Sequence, residues 1–287
     1  MSQMLLKRIA VAGAGTMGRG IAQAVALGGY QTRLYDVSPQ ALEGAREQIW
    51  ASVEKGVALG KVSEEQTRQA KEGLQLTQSL ESLATSDLVI EAAPEDLAIK
   101  RELFQRLDEI AADHTILASN TSSLSINVLA GATRRPERFL GLHFFNPAHI
   151  MKLVEVIEAD DTREDVLRAA VAFVRSLDKE PVRCEDTPAF IVNRVARPFY
   201  GEALRLLGEG AAGVQTIDAL MRSVGSPMGP FELIDLVGCD VNLAVTESVY
   251  EAYFHDPKYR PHPIQRRMVQ SGRLGRKSGR GFYKYEC

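Results

Sequence analysis

The sequence predicts an α/β domain with a mostly parallel sheet, followed by an all-α C-terminal domain. Three observations carry this. Short apolar runs alternate with amphipathic helical stretches through residues 1–186, the first run ends on a glycine-rich turn, and strand-like runs nearly vanish beyond Asp186. Alternation of this kind implies parallel strands covered by helices on both faces. A chain of 287 residues accommodates two domains of roughly 100–200 residues each, and the boundary falls within Glu185–Thr187.

The elements follow in order. Arg8–Ala12 reads as a buried strand and Met17–Leu27 as a helix. Gln31–Tyr35 is a second strand. A helical stretch then runs from about Pro39 to Glu72, broken near Gly56–Lys61. Leu88–Ala92 reads as the third parallel strand, Glu95–Ala111 as a helix and Thr115–Ala118 as the next strand. Phe139–Phe144 and Val154–Ile157 add two more. From Pro188 the spacing becomes helical, with Ile191, Val195, Phe199, Leu204 and Leu207 forming an apolar face in residues 187–287. No internal repeat or low-complexity segment interrupts the chain.

Composition narrows the function. The formal net charge is −3, with acids and bases spread along the chain, so nothing favours a nucleic-acid partner. The basic tract between Arg266 and Lys284 is short and broken by glycine. No run reaches the roughly 18 uncharged apolar residues of a membrane helix. Met1–Lys7 lacks the apolar stretch and cleavage site of a signal peptide. Cys184, Cys239 and Cys287 are scattered and odd in number, without a CxxC pair, so neither a disulfide framework nor a metal site is expected. A reduced, cytoplasmic setting fits.

The first strand runs directly into Gly13-Ala14-Gly15-Thr16-Met17-Gly18, which opens a helix. GxGxxG alone is a weak motif; in a strand–turn–helix unit it is the Rossmann fingerprint of a dinucleotide. Gly13 makes the tight turn, Gly15 lets backbone approach a pyrophosphate, and Gly18 lets helix and strand pack closely. Met17 lies inside the same turn. The helix N-terminus offers free N–H groups to phosphate. Asp36 ends the second strand, near the spacing at which an acid accepts hydrogen bonds from ribose hydroxyls. Its charge repels a 2′-phosphate, and Val37, Ser38 and Pro39 follow it without an arginine, which favours NAD over NADP. Ser38 before Pro39 is the better helix cap, so Asp36 is left for the cofactor.

Three later segments place polar residues in apolar surroundings. Ser119-Asn120-Thr121-Ser122-Ser123 follows a strand, where open parallel sheets bind ligands, although a serine N-cap near Ser123 explains part of it. His143 lies in an apolar strand, and Glu155 lies inside the next strand-like run. A buried histidine alone is most often a core residue. A buried unpaired carboxylate is expensive, and if the two strands are neighbours each residue accounts for the other. Asn193 is an amide early in the first helix of the second domain, where a surface role is equally compatible with the pattern.

With GAGTMG, SNTSSL, GLHFFNP, MKLVEV, DTPAFIVNR and SPMGPFELIDLVG in this order over nearly its whole length, the chain resembles the short-chain L-3-hydroxyacyl-CoA dehydrogenases, including 3-hydroxybutyryl-CoA dehydrogenases. The resemblance implies NAD-dependent, reversible oxidation of a (3S)-3-hydroxyacyl-CoA, in fatty acid, butanoate or aromatic-acid degradation. It implies His143 as general base, Glu155 as its partner, and Ser122 and Asn193 as hydrogen-bond donors to the substrate oxygen. Glu95, Lys100, Asn146 and Lys277 match cofactor-contacting positions, and Lys55 a coenzyme A contact. It also implies a homodimer formed through the helical domain, where Phe231–Val237 is an apolar stretch. The chain departs from many relatives at Leu59, where they carry a second lysine that Lys61 replaces, and at Pro147-Ala148-His149-Ile150, where they have Pro-Val-Pro-Val. His149 is read as a loop residue near the acyl pocket. The residues leave open the acyl group, including 3-hydroxyadipyl-CoA, and two other readings, a gulonate or polyol dehydrogenase and a non-catalytic NAD-binding sensor.

Overall fold

A computed structural model describes residues 4–285; Met1 and Cys287 lie outside the described residues. The chain divides into two compact units between Thr187 and Pro188.

Among the described residues the first unit holds eight strands: β1 (Arg8–Ala12), β2 (Gln31–Tyr35), β3 (Leu74–Thr77), β4 (Leu88–Glu91), β5 (Ile116–Ser119), β6 (Phe139–Phe144), β7 (Leu153–Glu158) and β8 (Glu180–Glu185). Its helices are α1 (Thr16–Leu27), α2 (Pro39–Ala58), α3 (Glu64–Gly73), α4 (Leu97–Ile110), α5 (Ile126–Ala130) and α6 (Glu164–Ser176). One sheet runs in the order β3-β2-β1-β4-β5-β6-β7-β8. All neighbouring pairs are parallel except β6 and β7. Only residues 145–152 join those two strands, too few for the crossover helix that a parallel return needs.

Three elements are absent from the sequence reading. β3 has only four residues and follows α3 without a break, so Leu88–Glu91 is the fourth strand and not the third. β8 is an edge strand with glutamate at both ends, which hides it from an apolar pattern. α6, the crossover between β7 and β8, buries Val166, Leu167, Ala170, Phe173 and Val174.

Strand alternation sorts the sheet into two faces. Ile9, Val11, Leu88, Ile90, Ile116, Ala118, Leu140, Leu142, Val154 and Val156 share one apolar cluster with α1, α2 and α6. Their alternates, including Glu91, Ser119, His143 and Glu155, therefore face the other side. There Phe104 of α4 meets Phe139 edge-on at 4.6 Å. A side chain at Gly141 would strike Ile157 and Ile126 at under 3 Å, so this glycine lets α5 press on the sheet two residues before His143.

The second unit is helical: α7 (Val192–Gly208), α8 (Val214–Ser223), α9 (Pro230–Val237), α10 (Cys239–Ala252) and α11 (Pro263–Gln270). The expected apolar face of α7 is buried only in part: Leu204 is buried and Phe199 and Leu207 pack against the core, but Ile191 and Val195 are exposed. Val195 is 69% exposed, and Arg197, Tyr200, Ala203 and Leu204 turn inward. Arg197 Nη1 donates to the Asn242 carbonyl and to Thr246 Oγ1, both 3.0 Å, which orients the helix by a polar contact that hydropathy does not register. Phe231 and Ile234 of the 231–237 stretch belong to the core of this unit, leaving Leu236 and Val237 exposed. The basic C-terminal tract is a fixed loop. The Asp235 carboxylate accepts from the amides of Phe282 and Tyr283 at 3.0 and 2.9 Å.

Candidate active site

The site begins at the C-terminal end of β1, where the strand order reverses between β1 and β4 and open sheets bind ligands. Gly13 has φ +115°, and a Cβ there would lie 2.5 Å from the Ala92 carbonyl oxygen. A Cβ at Gly18 would lie 1.7 Å from the Gly13 oxygen. These two glycines are required by the fold itself. At Gly15 a Cβ would meet nothing within 4 Å, so that glycine is explained by a group arriving from outside. The amides of Thr16, Met17 and Gly18 precede the first intrahelical bond, Arg19 N to Gly15 O, and have no acceptor within α1. Asp36 accepts from Ala14 N at 2.7 Å and Ser38 N at 2.9 Å, tying the end of β2 to the glycine turn. An ionised carboxylate has about four acceptor positions, so two remain for ribose hydroxyls. Ser38, not Asp36, caps α2 through Ala41 N. A dinucleotide fits this turn.

On the opposite face from the α1 helix, antiparallel register sets His143 directly against Glu155. His143 Nδ1 and Glu155 Oε2 are 2.7 Å apart. Glu155 is fully buried and His143 nearly so, and the imidazole lies against the Phe145 ring at 4.5 Å. A carboxylate at Nδ1 favours the tautomer with the hydrogen on that nitrogen. Asn120 Oδ1 accepts from Phe144 N at 2.9 Å, extending the β5–β6 ladder one step beside the histidine. The sequence reading passed over that role of Asn120.

It also missed Glu91, the acid that ends β4. Glu91 is fully buried and takes Lys100 Nζ at 2.5 Å, Ser119 Oγ at 2.5 Å and Ala93 N at 2.6 Å. Burial pushes its carboxyl up, against the opposing Lys100 charge. Lys100, expected to contact the cofactor, is 1% exposed, and its Nζ meets Glu91, Ala93 O at 3.2 Å and Glu95 at 3.3 Å. Glu95 Oε1 in turn accepts from Thr121 Oγ1 at 2.6 Å, Ser122 N at 2.9 Å and Ser123 Oγ at 3.0 Å. Partial burial works against its charge, but Lys100 and these donors hold its carboxyl below the ordinary value. Ser122 Oγ lies 3.4 Å from the same oxygen, so Glu95 orients the serine loop. The cap of α5 is Ser125, through Val128 N, and not Ser123.

The loop joining β6 to β7 carries Asn146, exposed beside a cis peptide to Pro147. Lys179, 7% exposed, donates from Nζ to the carbonyls of Ala148 and Met151, both at 2.7 Å. Burial first, and the Lys152 charge second, lower its pKa to about 8. His149 Nε2 meets Ser52 Oγ of α2 at 3.1 Å. Lys55 and Lys61 are exposed, on α2 and in the turn after it. In the second unit, Asn193 is the second residue of α7, and Lys277 Nζ pairs with Asp240 at 2.6 Å. Among the described residues there is no group of three or more His, Cys, Asp or Glu side chains that can hold a metal ion.

Residues 8–187 match the family model for the 3-hydroxyacyl-CoA dehydrogenase NAD-binding domain, and residues 190–285 match that for its C-terminal domain. The chain belongs to the 3-hydroxyacyl-CoA dehydrogenase family. It is 46% identical over 283 residues to the 3-hydroxyadipyl-CoA dehydrogenase of Escherichia coli (strain K12), covering 98% of this chain but only 60% of that longer protein. It is 43% identical to a probable 3-hydroxybutyryl-CoA dehydrogenase of Bacillus subtilis (strain 168), covering 99% of both chains. Among solved structures, (S)-3-hydroxybutyryl-CoA dehydrogenase from Ralstonia eutropha superposes with a TM-score of 0.94 at 39% identity, covering 99% of this chain and all of that one. As in the family, the cofactor is NAD and the reaction is oxidation of a 3-hydroxyacyl-CoA. No helix among the described residues is long and apolar enough to cross a membrane.

Proposed function

We propose that His143 is the proton acceptor of this dehydrogenase and Glu155 the group that orients it. The reaction is (3S)-3-hydroxyacyl-CoA plus NAD⁺ giving 3-oxoacyl-CoA, NADH and a proton. What supports the assignment is the buried 2.7 Å hydrogen bond between the two side chains. His143 Nε2 takes the hydroxyl proton, and the Glu155 carboxylate stabilises the imidazolium that results. In the reverse direction the imidazolium donates to the ketone oxygen. Ser122 and Asn193 donate hydrogen bonds to that oxygen. Gly13, Gly15, Gly18 and the first turn of α1 hold the pyrophosphate, Asp36 the adenosine ribose, and Glu95, Asn146 and Lys277 the remainder of the cofactor. NAD bound there supplies the hydride acceptor.

Lys55 on α2 contacts the phosphates of coenzyme A, with Lys61 beside it where relatives carry lysine at the Leu59 position. The acyl group is short, as in 3-hydroxybutyryl-CoA, with a dicarboxylic 3-hydroxyadipyl chain as the second reading. The enzyme works in the cytoplasm as a homodimer through its second unit. Val195, Leu220, Val224, Leu236 and Val237 support this, because all are large, apolar and exposed. Initial rates with acetoacetyl-CoA and NADH, compared with longer and dicarboxylic acyl-CoA esters, test the substrate. Gulonate with NAD serves as the control. Turnover of gulonate in place of the thioesters, or NADH binding without any turnover, overturns the reading.

A further inference from the structure

The family activity does not account for one group of side chains, which lies where three parts of the first unit meet. Gln23 of α1 is buried and donates from Nε2 to Ser52 Oγ of α2 at 3.0 Å. Ser52 Oγ lies 3.1 Å from His149 Nε2, in the loop between β6 and β7. A hydroxyl has one hydrogen. With that hydrogen and two acceptor positions, Ser52 Oγ accepts from the Gln23 amide and bonds His149 Nε2 in either neutral tautomer of the imidazole. Burial, with the charges of Lys179 and Arg19 behind it, favours the neutral histidine. The loop has no slack. Lys179 holds it from below through two carbonyls, and a side chain at Gly20 of α1 would come within 3.2 Å of Ala148.

The chain Gln23–Ser52–His149 therefore links the helix that opens the cofactor turn, the helix that carries Lys55, and the loop that joins the strands of His143 and Glu155. We propose that His149 is a positioning residue: it docks the α2–α3 hairpin onto the β6–β7 loop and so sets the affinity for the coenzyme A part of the substrate. This rests on the reading that α2 holds coenzyme A.

The test uses the full-length protein and His149→Leu, which keeps bulk and removes the hydrogen bond, with Ser52→Ala as the variant that cuts the same link from the other side. Amide hydrogen exchange across residues 42–58 is expected to quicken in both. Unchanged exchange overturns the docking, whatever the substrate proves to be. In kinetics, KM for acetoacetyl-CoA is expected to rise roughly 3- to 10-fold in His149→Leu, the scale of one hydrogen bond. Values of kcat and of KM for NADH should stay within about twofold. KM for acetoacetyl-pantetheine, which lacks the nucleotide, should also stay within about twofold. His149→Gln, which restores a hydrogen-bonding group, should recover most of the loss. A fall in kcat with KM intact overturns the proposal, as does an equal rise in KM for both thioesters, which assigns His149 to the acyl pocket. Failure of the wild-type protein to reduce acetoacetyl-CoA would instead remove the dehydrogenase reading, and the exchange measurement still decides the docking.

Discussion

Two glutamates, Glu155 and Glu91, lie fully buried on the same face of one sheet, and each is matched by a single basic partner. The partners make the difference. Glu155 faces the His143 imidazole, a group able to serve as the proton acceptor proposed above. Glu91 faces the Lys100 amine, and Ser119 and Ala93 also donate to it, which holds that pair in place. From there the polar contacts run outward through Glu95 to Ser122. A buried acid alone does not mark the chemistry; the chemical nature of its partner does.

Breaking the first pair should have the largest effect. His143→Ala is expected to lower kcat about 10²- to 10⁴-fold with NADH affinity within about twofold, read by steady-state rates and fluorescence titration. Breaking the second should act on folding. Lys100→Met leaves the buried Glu91 carboxyl without its cation, and a loss of about 3–5 kcal/mol in urea unfolding is expected. A Lys100→Met protein of normal stability but without turnover would reverse the roles assigned to the two glutamates.

A third acid, Asp87, sharpens the contrast from just before the other end of β4. Burial raises its carboxyl, but Arg8 and the amides of Lys7 and Arg8 more than offset this and bring it to about 2. A carboxyl lowered on folding stabilises above its unfolded value, near 3.8, and that stability is lost as pH falls toward 2. The wild-type protein should therefore lose up to about 2 kcal/mol between those values from this group, and Asp87→Asn should flatten that part of the curve. The smallest effect is expected at the surface. Lys55→Glu should raise KM for acetoacetyl-CoA about fivefold or less, and less at high salt, with KM for NADH unchanged.

The parts that were legible in the sequence are those with a local signature. The glycine turn, the flanking strands, and an acid inside an apolar strand each announce themselves over a few residues. Glu155 was found by that last criterion, and Glu91 satisfied the same criterion at the end of β4. It was passed over because its lysine partner lies nine residues on, in a helix where Lys100 reads as an ordinary polar position. Lys179 and Ser52 left no signature at all. Their roles exist only once α2, the 145–152 loop and the start of β8 come together. β8 was hidden by the charges an edge strand carries. In α7 the apolar spacing found the buried Leu204 and the core-packed Phe199 and Leu207 but not the inward Arg197, which has buried acceptors on α10, and it wrongly included Ile191 and Val195.

The measurement that bears most directly on the pairing of His143 with Glu155 is a double-mutant cycle on kcat, using Glu155→Gln, His143→Ala and the combined variant with acetoacetyl-CoA and NADH. If the glutamate acts only through the histidine, Glu155→Gln should cost about 10²-fold alone and under about threefold once His143 is gone. Losses that simply multiply in the combined variant would contradict the account and give the two residues separate tasks.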